Sequence, residues 1–403
     1  MSAGSGSGYN KKSVKDVDVK GKRVLLRCDF NVPIDKNTGE ITDEGRIIAA
    51  LPTINYLLEQ GAAVIACSHF GRPKGEFKPE FSLAPVALCL SKHLGKNVKM
   101  AKDVIGPDAL QLAKSLKAGE IMLIENTRFH KEEEKNDPEF AKCLVGMADL
   151  FVSDAFGSVH RAHASTEGVS KFLPAVSGFL LKKELDNIGG AISDPKRPLV
   201  AILGGAKVSD KLGVINNLMK IADSIIIGGG MAYTFFKAQG GQIGNSLCED
   251  SEFDNVLKML EDAKSKGVKL LLPVDSLAAP EFSNEDEPVT VDSNAIPSGK
   301  MALDIGPKAI SEFTDEIKRA GTIVWNGPMG VFEFSKYAKG TRAVADAVAG
   351  SGAVSVIGGG DSAAAVRLFG LEDKITHIST GGGASLEFME GKILPGIACL
   401  LDA

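Results

Sequence analysis

The feature that most constrains this chain is a recurring phrase: a short apolar, β-prone run that stops abruptly at a cluster of polar or glycine residues. The stretch AAVIACSHFGRP, residues 62–73, sets the pattern. Its apolar part is what a parallel sheet covered on both faces requires, yet it delivers Ser68, His69, Gly71 and Arg72 at its tip. The same phrase recurs in RVLLRCDFNVP, ending in Asp29 and Asn31, and in EIMLIENTRFH, ending in Glu125, Arg128 and His130. It returns in DLFVSDAFGSVHRAHAST, which ends in Asp154, His160, Arg161 and His163. Between these runs lie RIIAALPTINYLLEQG and SLAPVALCLSKHLG, whose apolar spacing and final glycines mark amphipathic helices. Alternating strand and helix predicts a parallel α/β sheet with all strand C-termini on one edge, where ligands bind.

That edge gathers Asp29, Asn31, His69, Arg72, Arg128 and Arg161, with Arg46 joining from just before a helix. Any one of them alone reads as a solvated loop residue or a local ion pair. Several guanidiniums converging on one place repel one another, and the arrangement makes sense for a small ligand with several negative charges, such as a phosphorylated carboxylic acid. His130 and His163 are read as structural neighbours of that site rather than ligands.

The chain's 403 residues exceed one ordinary core and predict two domains. A net charge of −5 argues against a nucleic-acid binder, so any basic site is local. Charged residues at 24% and hydrophobic ones at 44% describe a soluble globular protein, and no apolar run reaches membrane-spanning length. Residues 1–8, MSAGSGSG, read as a flexible leader. The six cysteines are scattered without a C-x-x-C pair, as expected of reduced residues in a cytosol-like compartment.

From Pro198 the strand tips change chemistry. PLVAILGGAKVSDKL, SIIIGGGMAYTFF, TIVWNGPMGVFEF, AVSVIGGGDSAAAV and THISTGGGASLEF all run into glycine-rich turns, most of them followed by a helical pattern. Such turns let backbone approach a ligand, and the following helix offers unpaired N–H groups to phosphate. A P-loop, the protein-kinase signatures and a G-x-G-x-x-G on the first strand are all missing. One glycine triplet would be an ordinary turn. The repetition, with Lys207 and Lys211 beside one turn and Asp361 in another, predicts a nucleotide site with Asp361 as the Mg²⁺ ligand. The boundary between the halves falls near Asn187, in an amphipathic helix carrying Phe179, Leu180, Leu181, Leu185 and Ile188 that should end at Gly189 and Gly190. The acidic run NEDE, residues 284–287, reads as a solvated loop.

Taken together, RCDFNVP, SHFGRP, ENTRFH, HRAHAST, LGGAKVSDK, IGGGMAYTF, WNGPMGVFEF, GGGDSAAA and HISTGGGASLE resemble phosphoglycerate kinases in the same order, from about Lys12 onward. The phrasing of NGPMGVFEF and KEEEKNDPEFAKCL is more like the bacterial and plastid branch. The resemblance implies two Rossmann-like parallel-sheet domains joined by a helical hinge, with a substrate cleft between them. Residues 9–186 form the 3-phosphoglycerate domain, with 391–403 packing back on it, and 187–390 form the nucleotide domain. It assigns substrate to Asp29, Phe30, Asn31, Arg46, His69, Phe70, Gly71, Arg72, Arg128 and Arg161. It assigns nucleotide to Lys207, Lys211, Gly228, Gly229, Gly230, Ala302, Asn326, Glu333, Gly359, Gly360, Asp361 and Ser362, with Glu333 on the ribose and Asp361 on magnesium. The reaction implied is Mg²⁺-dependent phosphoryl transfer between 1,3-bisphosphoglycerate and ADP, by a cytoplasmic or plastid-stromal monomer without nucleic-acid or membrane partners.

Two departures stand out. Lys300, Met301 and Ala302 occupy the place of the family's common Trp-Met-Gly, and Phe70 replaces a leucine. Transfer of this kind rests on positioning and charge stabilisation, which the reading gives to Arg46 from one domain and Lys207 from the other. Closure about the linker helix then assembles the site. Two rival readings remain at this point: an isomerase of phosphorylated acids, which leaves the glycine-rich half idle, and a non-catalytic scaffold.

Overall fold

The computed structural model describes residues 9–403, so the leader at residues 1–8 lies outside the described residues. The chain forms two compact units: one runs to Asp186 and takes in Ile393–Ala403, the other is Asn187–Lys392. The return to the first unit begins two residues later than the sequence suggests. Lys392 stays with the second unit, and its ammonium pairs with Glu390 at 2.6 Å.

The first unit is built on a six-stranded sheet. In spatial order its strands are Val98–Met100, Ile121–Leu123, Ala63–Cys67, Arg23–Arg27, Leu150–Ser153 and Ala175–Ser177, all parallel. Val24 pairs with Val64 on one side and Leu150 on the other. The helix Gly45–Glu59 buries Ile47, Ala50, Ile54, Leu57 and Leu58, the stripe its 3.6-residue period demands. Helix Ala84–Leu94 ends where Gly95 turns left-handed, at φ 59°. Gly396 N–H donates to Val159 O and Leu401 N–H to Ala175 O, which fastens the C-terminal segment to this unit.

The second unit repeats the plan with Lys269–Leu271, Ser224–Ile227, Leu199–Leu203, Thr322–Asn326, Val354–Gly358 and His377–Ile378 in spatial order, again all parallel. It adds an antiparallel sheet of Asp275–Ala279, Val289–Asp292 and Met301–Ile305 that no sequence pattern announces. The acidic run 284–287 lies outside strand and helix, but it is anchored. Lys336 N–H donates to Asn284 Oδ1, and the Lys336 ammonium pairs with Glu287 at 2.8 Å.

In both main sheets the chain starts at a central strand, builds outward on one side, then returns to build the other. The reversal falls between Arg23–Arg27 and Leu150–Ser153 in the first sheet, and between Leu199–Leu203 and Thr322–Asn326 in the second. At such a point the loops leaving adjacent strand ends diverge and open a crevice. The linker also departs from expectation: Gly189 and Gly190 do not stop the helix. The backbone stays helical from Phe179 to Ser193, through a π-helical turn at Leu185–Gly189.

Candidate functional site

Each switch point carries a cavity. That of the first unit, about 540 Å³, is lined by the predicted Asn31, His69, Gly71, Arg72, Arg128 and Arg161, and by Glu134, Gly157, Ser158, His160 and His163. Its floor is tied together through the tips of the strands. Asn31 Oδ1 accepts from Gly71 N–H at 2.9 Å, and Arg128 Nη1 donates to Gly71 O at 2.9 Å. Gly71 has φ 56°, and a Cβ there would stand 2.4 Å from the Phe81 ring, so the turn admits only glycine. Arg128 Nε lies 3.3 Å from Glu134 Oε1, and Arg161 Nε donates to His160 Nε2 at 3.2 Å.

His69 owes its state to a residue the sequence reading overlooked. Arg27, the last residue of its strand and 1% exposed, holds Nη2 3.1 Å from His69 Nδ1. A guanidinium only donates, so Nδ1 accepts and the ring proton sits on Nε2. Burial, reinforced by the charges of Arg27, Arg128, Arg46 and His163, pushes the His69 pKa well below its ordinary value, which keeps the ring neutral. Arg27 also donates to Ser165 Oγ at 2.8 Å and to Cys28 O. His163, read from sequence as a neighbour, lines the cavity, and burial with Arg128 beside it draws its pKa down to about 4. His130 does not line it; its ring packs on Phe140.

Four predicted residues fall outside the lining. Arg46 pairs with Asp29 at 2.7 Å on the exposed start of its helix. Phe30 and Phe70 are core residues, 0% and 7% exposed, so the turn around them faces the cavity while their rings face away from solvent.

The second cavity, about 570 Å³, brings together Lys207, Lys211, Asn326, Gly359, Gly360, Asp361 and Ser362 as predicted. It adds Gly204, Gly205, Ala206, Asp210, Gly327, Pro328, Gly382, Gly383 and Leu386. The Gly382–Gly383 turn belongs to the quoted THISTGGGASLEF run, so its glycines carried the signal. Two turns meet backbone to backbone: a Cβ on Gly204 would lie 2.0 Å from Pro328 O. Ser362 Oγ accepts from Gly327 N–H at 2.6 Å, and the Lys211 ammonium donates to Asn326 Oδ1. Asn326 Nδ2 is buried without a hydrogen-bond partner, beneath the turn at Gly359. The helix Gly360–Leu368 starts at the cavity with no side-chain cap, leaving its first N–H groups to a ligand. Burial lowers the Lys211 pKa, and Asp210, Asp361 and Glu390 partly offset it.

The predicted residues 228–230, Ala302 and Glu333 do not line this cavity. Gly229, at φ 71°, packs so closely that a Cβ would sit 2.6 Å from Gly205 N, which makes that turn a support behind the cavity wall. Ala302 packs with Tyr233, Ile243, Ala278 and Ile296, and its N–H donates to Ser246 Oγ. Glu333 is exposed on the segment beyond Thr322–Asn326.

A sequence model described as phosphoglycerate kinase matches residues 14–392. The chain belongs to the phosphoglycerate kinase family. A phosphoglycerate kinase of Clostridium botulinum is 57% identical over 397 residues, 98% of this chain and 99% of that one. One of Clostridium novyi is 58% identical over 396 residues, with the same coverage. The solved phosphoglycerate kinase of Coxiella burnetii superposes with a TM-score of 0.91 at 44% identity, covering 96% of this chain and 98% of its own. That of Pyrococcus horikoshii OT3 gives 0.79 at 34% identity over the same shares. The activity is therefore the phosphotransfer of phosphoglycerate kinases, between phosphoglycerate and ADP or ATP, and the isomerase and scaffold readings fall away. Among the described residues no helix is long and apolar enough to cross a membrane.

Proposed function

We propose that the cavity of the first unit holds 3-phosphoglycerate and its acyl phosphate, and that of the second unit holds the nucleotide together with Mg²⁺. The observation that carries this division is the contrast between two equivalent positions in equivalent sheets: one switch point presents arginines, the other glycine turns, lysines and a helix start. Arg72, Arg128 and Arg161 offer planar forks for carboxylate and phosphate oxygens. Neutral His69, with its proton on Nε2, adds a directional donor.

On the nucleotide side, Lys207, Lys211, the unpartnered Asn326 Nδ2 and the first N–H groups of Gly360–Leu368 supply positive charge and donors for phosphate oxygens. Asp361 is an exposed carboxylate in the cavity lining, the oxygen donor a hard dication selects, and so the residue that would hold magnesium. That ion would neutralise charge on the nucleotide phosphates. The assignment of Glu333 to ribose, and of residues 228–230 and Ala302 to the adenine side, rests on the family resemblance. Arg46 and Lys207 are the groups given to the transferring phosphoryl, whose charge spreads over its equatorial oxygens. No general base is needed toward ATP, because the attacking atom is an ionised phosphate oxygen. Six free cysteines support a reducing, cytoplasmic setting.

Calorimetric titration with 3-phosphoglycerate and with MgADP tests the division. Arg161→Ala should weaken phosphoglycerate by roughly 1.5–3 kcal/mol, the worth of a charge-assisted hydrogen bond, and leave ADP unchanged. Lys211→Met should do the converse. Equal losses for both ligands in either folded variant refute two separate half-sites.

A further inference from the structure

Outside both cavities, the first unit holds a cluster of metal-ligating side chains with no part in phosphoryl transfer. Glu44, Cys89 and His93 each present one donor atom, and the three atoms lie within 4.8 Å of one another. Cys89 and His93 stand at i and i+4 on the helix Ala84–Leu94, hence on one face. Glu44 comes from the start of the neighbouring helix, Gly45–Glu59. It occupies the N-cap position, yet its carboxylate makes no bond to that helix. Instead it accepts from His93 Nε2 at 2.7 Å and lies beside the Cys89 sulfur. A carboxylate, a thiol and an imidazole thus present their ligand atoms to one small volume. Cys89 is 7% exposed, whereas Glu44 and His93 reach solvent, so the sulfur is shielded and one side of the cluster stays open.

We propose that Glu44, Cys89 and His93 form a three-ligand site for a borderline-soft divalent metal ion, Zn²⁺ foremost, with its fourth position open to water. The donor set makes the choice: thiolate and imidazole favour zinc, while calcium and magnesium want oxygen throughout. Tetrahedral bonds of about 2.0–2.3 Å put ligand atoms roughly 3.3–3.7 Å apart. Reaching that geometry opens the Glu44–His93 contact slightly and brings both groups toward the shielded sulfur, through rotation of two exposed side chains. On binding, the Cys89 thiol releases its proton to solvent, and the proton that His93 Nε2 shares with Glu44 leaves that nitrogen and is replaced through solvent by one on Nδ1. His93 coordinates through Nε2 as a neutral imidazole with its proton on Nδ1, and nothing is oxidised or reduced. Lys92, close enough to act on both Glu44 and Cys89, is the adverse charge at the site.

Cobalt titration of the metal-free full chain, without nucleotide, tests the site by absorption spectroscopy. One equivalent of Co²⁺ should produce a thiolate-to-cobalt charge-transfer band, and Zn²⁺ should abolish it by displacement. Cys89→Ser should remove the band, while Cys143→Ser and Cys248→Ser should leave it intact. His93→Gln and Glu44→Gln should each weaken cobalt at least ~10-fold, the scale on which even supporting residues of metal sites act. If Cys89→Ser does not fold by circular dichroism, the exposed His93 variant decides. Absence of the band at saturating cobalt, its survival in folded Cys89→Ser, or unchanged affinity in both His93→Gln and Glu44→Gln overturns the proposal.

Discussion

Acid should destabilise this protein in part through one ring, His163. The residue is 7% exposed. Burial, with Arg128, Arg27 and Arg161 nearby, takes its pKa from 6.5 to about 4. Between those values the unfolded chain carries a proton on this ring and the native protein does not. The native state therefore loses ground as pH falls through that window, and has its full stability above it. Summing the two titrations gives a loss of about 1 kcal/mol at pH 6 and about 2 kcal/mol at pH 5, approaching ~3 kcal/mol below pH 4. Other groups work the other way: burial raises Asp154 to about 6 and Asp304 to about 7, so the native state takes up protons there on acidification. A comparison with His163→Gln, neutral at every pH, isolates the histidine. Urea unfolding at pH 8, 6 and 5 should be followed by far-ultraviolet circular dichroism, because the only tryptophan, Trp325, reports on the second unit. Between pH 8 and pH 5 the wild type should lose about 2 kcal/mol more than the variant. Parallel losses would refute the burial argument. Because the same cavity holds Arg128 and Arg161, saturating 3-phosphoglycerate should shrink the difference, the bound anion offsetting the added proton.

The remaining expectations are shorter. Gly204→Ala places a Cβ 2.0 Å from Pro328 O and should cost at least ~1–3 kcal/mol, whereas Gly190→Ala, exposed and helical with nothing within 4 Å, should gain roughly 0.5–1 kcal/mol; calorimetric melting compares them. Asp361→Asn should raise the Mg²⁺ concentration needed for half-maximal ATP synthesis with little change in melting temperature; an unchanged magnesium titration contradicts its role. Arg46→Ala should lower kcat by ~1,000-fold or more, as loss of an arginine on a transferring phosphoryl does, and Lys should rescue only in part. A normal kcat with a raised KM for 3-phosphoglycerate would instead make Arg46 a ground-state clamp.

Much of the site is legible because parallel strands all end on one edge. Once 62–67 and its counterparts are read as strands, His69, Arg72, Arg128 and Arg161 must lie near one another, and the structure lines one cavity with all four. The glycine tips at 204–205, 327, 359–360 and 382–383 follow the same logic. Illegible were elements too short for a period to register, such as Val98–Met100 and Lys269–Leu271, and the added antiparallel sheet. Gly189 and Gly190 misled because a helix stop is only a local preference, which the continuous helix around Leu185–Gly189 overrides.

What the residues determine alone is local and periodic: strand against helix, the two-unit plan, and which tips carry charge or glycine. What the tertiary structure decides is everything that depends on which side of a turn faces inward. Phe30 and Phe70 share their turns with Asn31 and Gly71 but point into the core. Arg27 sits in an apolar strand where no pattern reveals that it fixes the proton of His69, a residue from another strand's tip. Asn326 Nδ2 is left without a partner only because the turn at Gly359 folds over it. Burial and hydrogen-bond partners are set by chain segments far apart in sequence, and pKa, tautomer and unsatisfied donors follow from those partners.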